Sequence, residues 1–189
     1  MAQGPLKGLR MLELASVLAG PYSARVLADM GAAVIKVEPL IGDATRGYGP
    51  PWINPDAPAN ERTAVYFLSV NRNKRSLRLD LASNEGKEVV RRLVGRSDVL
   101  VENFRPGGMD RIGLGEAVLK ELNPKLVQLS ITGYGPEGPD SSKPGYDFVA
   151  QAVGGLMSVT GFPDADGGHP TKLGVAITDI VTGLLGTVG

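Results

Sequence analysis

Leu9-Arg10-Met11-Leu12-Glu13-Leu14-Ala15, then Gly20-Pro21, then Gly31 and Ala33-Val34-Ile35-Lys36-Val37, is the stretch that decides the fold. The first segment alternates apolar and polar residues, the period of a half-buried strand. Gly20-Pro21 opens a helix, because the fixed φ of proline suits the first helical position and its missing N–H is not needed there. That helix runs to about Met30, and Gly31 ends it. Ala33 to Val37 is short and rich in β-branched residues, which marks a second strand. A strand, a helix and a strand so closely spaced form a βαβ unit, so the two strands run parallel.

Outward from this unit the pattern repeats. Pro39 to Arg62 is proline-rich and irregular, a loop of a length that is usually functional or mobile. Ala64 to Val70 and Ser76 to Leu81 are predicted strands, joined by Asn71-Arg72-Asn73-Lys74-Arg75. Ser83 is placed to cap a helix over Glu85 to Val94, whose Val89, Val90, Leu93 and Val94 make one apolar face. Strands are predicted over Asp98 to Val101 and Lys125 to Ile131, and helices over Ala117 to Leu122 and Tyr146 to about Val159. Ile180 to Gly189 reads as an apolar helix still in progress, so the chain is expected to be a piece of a longer protein. The alternation predicts an α/β fold with a mostly parallel sheet. Functional groups in such sheets gather beyond the carboxyl ends of the strands, and Ser16 to Pro21, Asn103 to Gly107 and Thr132 to Pro136 fall there.

Composition narrows the chemistry. The 189 residues are 42% apolar and 21% charged, ordinary for a soluble globular domain with its own core. Twenty basic residues balance twenty acidic ones, so bulk charge argues for neither a nucleic acid nor a membrane partner. No apolar run is long enough to span a bilayer, and Met1-Ala2-Gln3-Gly4-Pro5 resembles neither a secretory signal nor an Arg-rich transit peptide. Cysteine is absent, which removes thiol nucleophiles and thiolate metal sites and suits a reducing compartment. The expected location is the cytoplasm, with the mitochondrion as the alternative.

The remaining candidates are weighed one by one. The first strand–helix turn, Ala15-Ser16-Val17-Leu18-Ala19-Gly20-Pro21, lacks G-x-G-x-x-G, so a nicotinamide site is not expected. His169 is the only histidine and has no companion ligand, which predicts a surface residue and no metal site. Arg72, Lys74, Arg75 and Arg78 suit phosphate groups, although a solvated hairpin face explains them more simply. Asp147 and Asp179 each stand at a helix start, where a carboxylate can cap or oppose the dipole. Asp164 and Asp166 can be turn formers. Asp164, on the turn after the predicted helix, is the best-placed candidate nucleophile.

The ordered set Pro5-Leu6-Lys7-Gly8-Leu9-Arg10, Leu18-Ala19-Gly20-Pro21, Val34-Ile35-Lys36-Val37-Glu38, Gly42-Asp43-Ala44-Thr45-Arg46, Asn71-Arg72-Asn73-Lys74-Arg75-Ser76, Val101-Glu102-Asn103-Phe104-Arg105-Pro106-Gly107, Ser130-Ile131-Thr132-Gly133-Tyr134-Gly135 and Gly145-Tyr146-Asp147 resembles the N-terminal part of a family III CoA-transferase, the formyl-CoA and carnitine-CoA transferase type. The resemblance spans nearly the whole chain. It implies that residues 1–189 are the N-terminal part of a CoA-binding, Rossmann-like large domain. A smaller domain and a C-terminal return lie beyond residue 189, and the full-length enzyme is an interlocked homodimer.

The same resemblance implies the chemistry. An aspartate attacks an acyl-CoA thioester, a mixed anhydride forms, and CoA passes to an acceptor carboxylic acid. By position that aspartate is Asp164, with Asp166 as second choice because the loop before Lys172 is slightly long. The CoA contacts implied are Val17, Leu18, Ala19, Leu79, Asn103, Phe104, Arg105, Arg111, Thr132, Gly133 and Tyr134. CoA and acyl-CoA are substrates here, and no tightly bound cofactor is implied. Pro39 and Thr132 replace an arginine and a lysine of the formyl-type enzymes, so formyl or oxalyl specificity is not expected. Gly42-Asp43-Ala44-Thr45-Arg46 followed by Gly49-Pro50-Pro51 leans towards the branch that handles dicarboxylates such as succinate and glutarate. The alternative is a 2-methylacyl-CoA racemase of the same fold. Asp179 matches its second acid/base, but Tyr146 stands where its histidine belongs, which favours transfer. An inactive CoA-binding remnant is the other alternative, because the family's glycine-rich loop lies outside these residues.

Overall fold

A computed structural model describes residues 4–189. Five strands, β1 (Arg10–Glu13), β2 (Ala33–Glu38), β3 (Lys74–Arg78), β4 (Val99–Glu102) and β5 (Val127–Ser130), form one sheet in the order β3-β2-β1-β4-β5. Every pairing is parallel, with Leu12 opposite Ile35 on one side and Leu100 on the other. The Rossmann-like α/β expectation therefore holds. The strand order reverses between β1 and β4, and a sheet of this kind opens a crevice at that point.

Two apolar layers cover the sheet. Leu12, Leu14, Val37, Val90, Val94, Leu100, Met109, Leu114 and Leu119 form one cluster, under α3 (Asn84–Val94), α4 (Gly108–Arg111) and α5 (Glu116–Leu122). Met11, Ala15, Ala24, Ala28, Ala32, Val34 and Val101 form the other, under α1 (Ala19–Asp29). Alternation along β1 sends Met11 to one layer and Leu12 to the other, as the two-residue period of a strand requires. Ser83 caps α3 as expected, its hydroxyl accepting from the Gly86 N–H at 3.0 Å.

Residues Ala64 to Val70, expected as a strand, form helix α2 (Val65–Asn71) instead. Two parallel strands cannot be joined by a hairpin, so the chain between β2 and β3 must cross over the sheet. Phe67, Val70 and Asn71, at helical spacing, supply the buried face that such a crossover needs. Strand β3 consequently starts at Lys74 and ends at Arg78, earlier than Ser76 to Leu81. The helix expected over Tyr146 to Val159 divides into α6 (Asp147–Val153) and a 3₁₀ turn over Leu156–Val159. Gly155, at φ +79°, breaks it in a conformation that L side chains rarely adopt.

Helix α7 (Ile177–Val188) lies against α1, and Gly183 permits the approach. A Cβ there would stand 2.7 Å from the Ala19 carbonyl oxygen. Among the described residues no helix is long and apolar enough to cross a membrane.

Candidate active site

The crevice at the switch point is a groove of about 430 Å³. Ser16 to Ala19, after β1, form one wall, and Asn103 to Pro106, after β4, form another. Ile131 to Gly133 follow β5, while Tyr146, Asp147, Thr178, Asp179 and Thr182 close the far side from α6 and α7. The three strand-end segments singled out from the sequence thus converge. Of the CoA positions implied by the resemblance, Val17, Leu18, Ala19, Asn103, Phe104, Arg105, Thr132 and Gly133 line this groove.

Leu79, Tyr134 and Arg111 do not line it. Leu79 follows β3, packs half-buried on the core, and donates its N–H to the Glu38 carbonyl at 2.9 Å. Arg111 ends α4 and is exposed. Asp164 and Asp166 occupy an exposed one-turn 3₁₀ segment, Asp164–Asp166, and neither borders the groove. Their turn belongs to an arm over residues 154–173, which Thr171 ties back by donating its N–H to the Met157 carbonyl at 3.1 Å.

Gln151 roots that arm and was not singled out from the sequence. It is wholly buried. Its Oε1 accepts from the Leu173 N–H at 2.9 Å, and its Nε2 donates to Asp147 Oδ2 at 2.7 Å. The signal available was its place one helical turn after Asp147. Asp147 Oδ1 in turn accepts from the Thr178 N–H at 2.9 Å and the Thr178 hydroxyl at 2.6 Å. Burial works to raise the Asp147 carboxyl, but these donors outweigh it and hold it below the ordinary range. Asp179 is pushed the other way, by burial and then by the charge of Asp147. Asp147 is thus a staple between α6 and α7, more than the local cap that its position suggested.

A neutral cluster of buried charges braces the groove from behind. Lys36, 1% exposed, reaches Glu13 Oε1 at 3.0 Å, Asp43 Oδ2 at 2.9 Å and the Ala15 carbonyl at 2.7 Å. Lys74 reaches Glu13 Oε2 at 2.7 Å and also donates to the Asn71 Oδ1 and Pro21 carbonyl. Burial pushes the Lys74 ammonium down to about 8 against the opposing pull of Glu13. The hairpin reading of the cationic run is therefore corrected, while its solvated part holds for Arg72, Arg75 and Arg78, which are exposed. The run starts a parallel strand, Lys74 is buried, and Arg72 binds Asp29 at 2.6 Å. Among the described residues no cluster of His, Cys, Asp and Glu could hold a metal ion.

The family model described as CoA-transferase family III matches residues 6–189. The chain belongs to that family. This family III chain is 50% identical over 181 residues to the succinate–glutarate CoA-transferase of Agrobacterium fabrum, covering 95% of its own length and 44% of the relative. It is 45% identical over 190 residues to the succinyl-CoA:mesaconate CoA-transferase of Haloarcula hispanica, covering 98% of itself and 46% of the relative. A crystal structure of a CAIB/BAIF family protein from Brucella suis superposes with a TM-score of 0.92 at 49% identity, over 99% of this chain and 48% of that one. The family III chain thus spans under half the length of these relatives.

Family membership does not make every shared motif a ligand contact. In this family III chain Gly42-Asp43-Ala44-Thr45-Arg46 is a clamp on the end of β2. Arg46 binds Glu38 with two hydrogen bonds of 2.8 Å, and the Asp43 N–H donates to the same carboxylate at 2.8 Å. The Arg46 guanidinium also covers the Phe67 ring at 3.8 Å. Burial would raise the Glu38 carboxyl, but Arg46, Ser76 and the Asp43 N–H bring it down to about 2 from its ordinary 4.5. A depressed carboxyl stabilises the fold above its unfolded value, so this contribution is present above pH 4.5 and is lost as pH falls towards 2. The shift amounts to about 3 kcal/mol. Glu38→Gln is expected to lose about that much at neutral pH and to flatten the acid limb of stability, measured as denaturant midpoint against pH. An unchanged acid limb would show that the clamp does not carry this charge.

Proposed function

We propose that the full-length protein transfers CoA from an acyl-CoA of the succinyl type to a second dicarboxylic acid, through an aspartyl mixed anhydride. The observation that carries this reading is the convergence of eight implied CoA positions on one groove at the switch point. The activities for which the relatives are named, on succinate, glutarate and mesaconate, support a dicarboxylate pair.

The reaction balances as four acyl transfers. An Asp164 carboxylate oxygen attacks the thioester carbonyl and expels the CoA thiolate, which leaves a mixed anhydride. The thiolate attacks the aspartyl carbonyl, releases the donor acid and forms an aspartyl thioester. The acceptor carboxylate then attacks that thioester, and the freed thiolate takes the acceptor acyl group from the second anhydride. No net proton or electron is needed. The arm that carries Asp164 is rooted through Gln151 on Asp147, a wall of the groove. A homodimer, with the smaller domain beyond residue 189, completes the site in this reading.

Racemisation fits less well. Tyr146 is stacked on Phe148, with ring centroids 6.4 Å apart, and has no basic nitrogen to take an α-proton. The Asp147 oxygens are engaged by Thr178 and Gln151. Incubating the full-length protein with succinyl-CoA and glutarate in D₂O tests both readings. Glutaryl-CoA should form with no deuterium at the α-carbon. Hydrolysis alone, or deuterium entering without transfer, would overturn the proposal.

A further inference from the structure

Val17 lies in the groove wall with φ at +68°, a region that a β-branched residue rarely enters. Its own sequence does not explain this, because nothing in Ser16-Val17-Leu18 favours a left-handed turn. The restraint comes from outside the turn. Asn103 Oδ1 accepts from the Ser16 N–H at 2.9 Å, and Asn103 Nδ2 donates to the Ser16 carbonyl at 2.8 Å. Both ends of one side-chain amide are thus spent on the peptide groups of one residue, as a neighbouring strand would spend its backbone. On the other side the buried Lys36 holds the Ala15 carbonyl at 2.7 Å. Gly20 lets the turn close, since a Cβ there would stand 2.4 Å from the Ala15 Cβ.

We propose that Asn103 is a positioning residue for CoA binding: its amide fixes the strained Ser16–Val17 turn so that the backbone of residues 17–19 meets the ligand, and its side chain is not a ligand contact. The inference rests on the reading of the groove as the CoA site, and it reassigns a residue that the resemblance places among the contacts. The two bonds to Ser16 fix the orientation of the amide and take one of its two donor hydrogens and one of its two acceptor sites. A turn held against its own preference loses its shape when the clamp is removed.

The test separates a clamp from a contact by asking whether the loss depends on strain at residue 17. CoA affinity of the full-length chain is measured for Asn103→Ala alone and for Asn103→Ala combined with Val17→Gly, each against its own Asn103 parent. Glycine takes a positive φ without strain, so the clamp should matter less in the second pair. The expected loss of CoA affinity is about tenfold in the first pair and under about threefold in the second. Asn103→Asp keeps the acceptor for the Ser16 N–H and serves if the alanine variant does not fold, with a smaller loss and the same dependence on Val17→Gly. Equal losses in both pairs would overturn the proposal, because a direct contact does not depend on strain next door. Amide exchange at Ser16 to Leu18 is read in parallel without ligand and should quicken in Asn103→Ala. If the unchanged protein binds no CoA, the reading of the groove fails and the proposal with it, and exchange that still quickens identifies that cause. Unchanged exchange would overturn the clamp itself.

Discussion

Asp164→Ala is expected to abolish CoA transfer, by at least about a thousandfold, while CoA binding changes by less than about twofold. The separation follows from where the residue stands. Asp164 is exposed on the 3₁₀ turn and does not border the groove whose walls are proposed to hold CoA. Removing an exposed side chain that braces nothing costs little stability, within about 0.5 kcal/mol. A covalent mechanism fails without its nucleophile, because no other group can carry the acyl moiety between thioesters. Asp166→Ala, two residues along the same turn, is the matched control and should retain most activity. The reverse pattern would move the nucleophile to Asp166. Retained turnover in both variants would exclude an aspartyl intermediate on this turn.

Lys36→Met should produce the largest loss of stability. Lys36 is the shared cation of Glu13 and Asp43, both buried. Burial works to lower its pKa, but the two carboxylates outweigh it and raise it, so the ammonium stays charged. Methionine keeps most of the stem without the ammonium, and leaves Glu13 with Lys74 alone and Asp43 without its bridging cation. Stranding one half of a buried ion pair costs about 3–5 kcal/mol. In a domain of this size that lowers the melting temperature by roughly 10 °C. The clamp on residues 43–46 and the hold on the Ala15 carbonyl should loosen together. A melting temperature within about 2 °C of the unchanged protein would show that water or rearrangement satisfies the two carboxylates.

Much of this architecture is legible in the sequence, and the failures share a cause. Gly20-Pro21 and Gly31 mark helix α1 through local backbone chemistry, and Ser83 does the same for α3. Ala64 to Val70 misleads because Val65, Tyr66, Phe67 and Val70 carry strand propensity, while the parallel β2–β3 pair demands a helix between them. Lys74 misleads for the same reason: beside Arg72 and Arg75 it looks solvated, and only the contact with Glu13, far back along the chain on β1, buries it. Fold logic and resemblance together anticipated the groove, since strand ends can be located without knowing side-chain directions. The spacing of Gln151 one helical turn after Asp147 was legible, but its hold on Leu173 and the Asp147–Thr178 staple were not, because Leu173 and Thr178 lie far along the chain. The double hold of Asn103 on Ser16 spans 87 positions and leaves no local trace.

The central claim, that a side-chain carboxylate takes the acyl group from a thioester, is tested most directly by trapping. The full-length protein is incubated with succinyl-CoA, quenched with hydroxylamine, digested and mapped by mass spectrometry. A hydroxamate on Asp164, absent without succinyl-CoA, is the expected result. Transfer that proceeds while no aspartate in the chain becomes modified would contradict covalent catalysis.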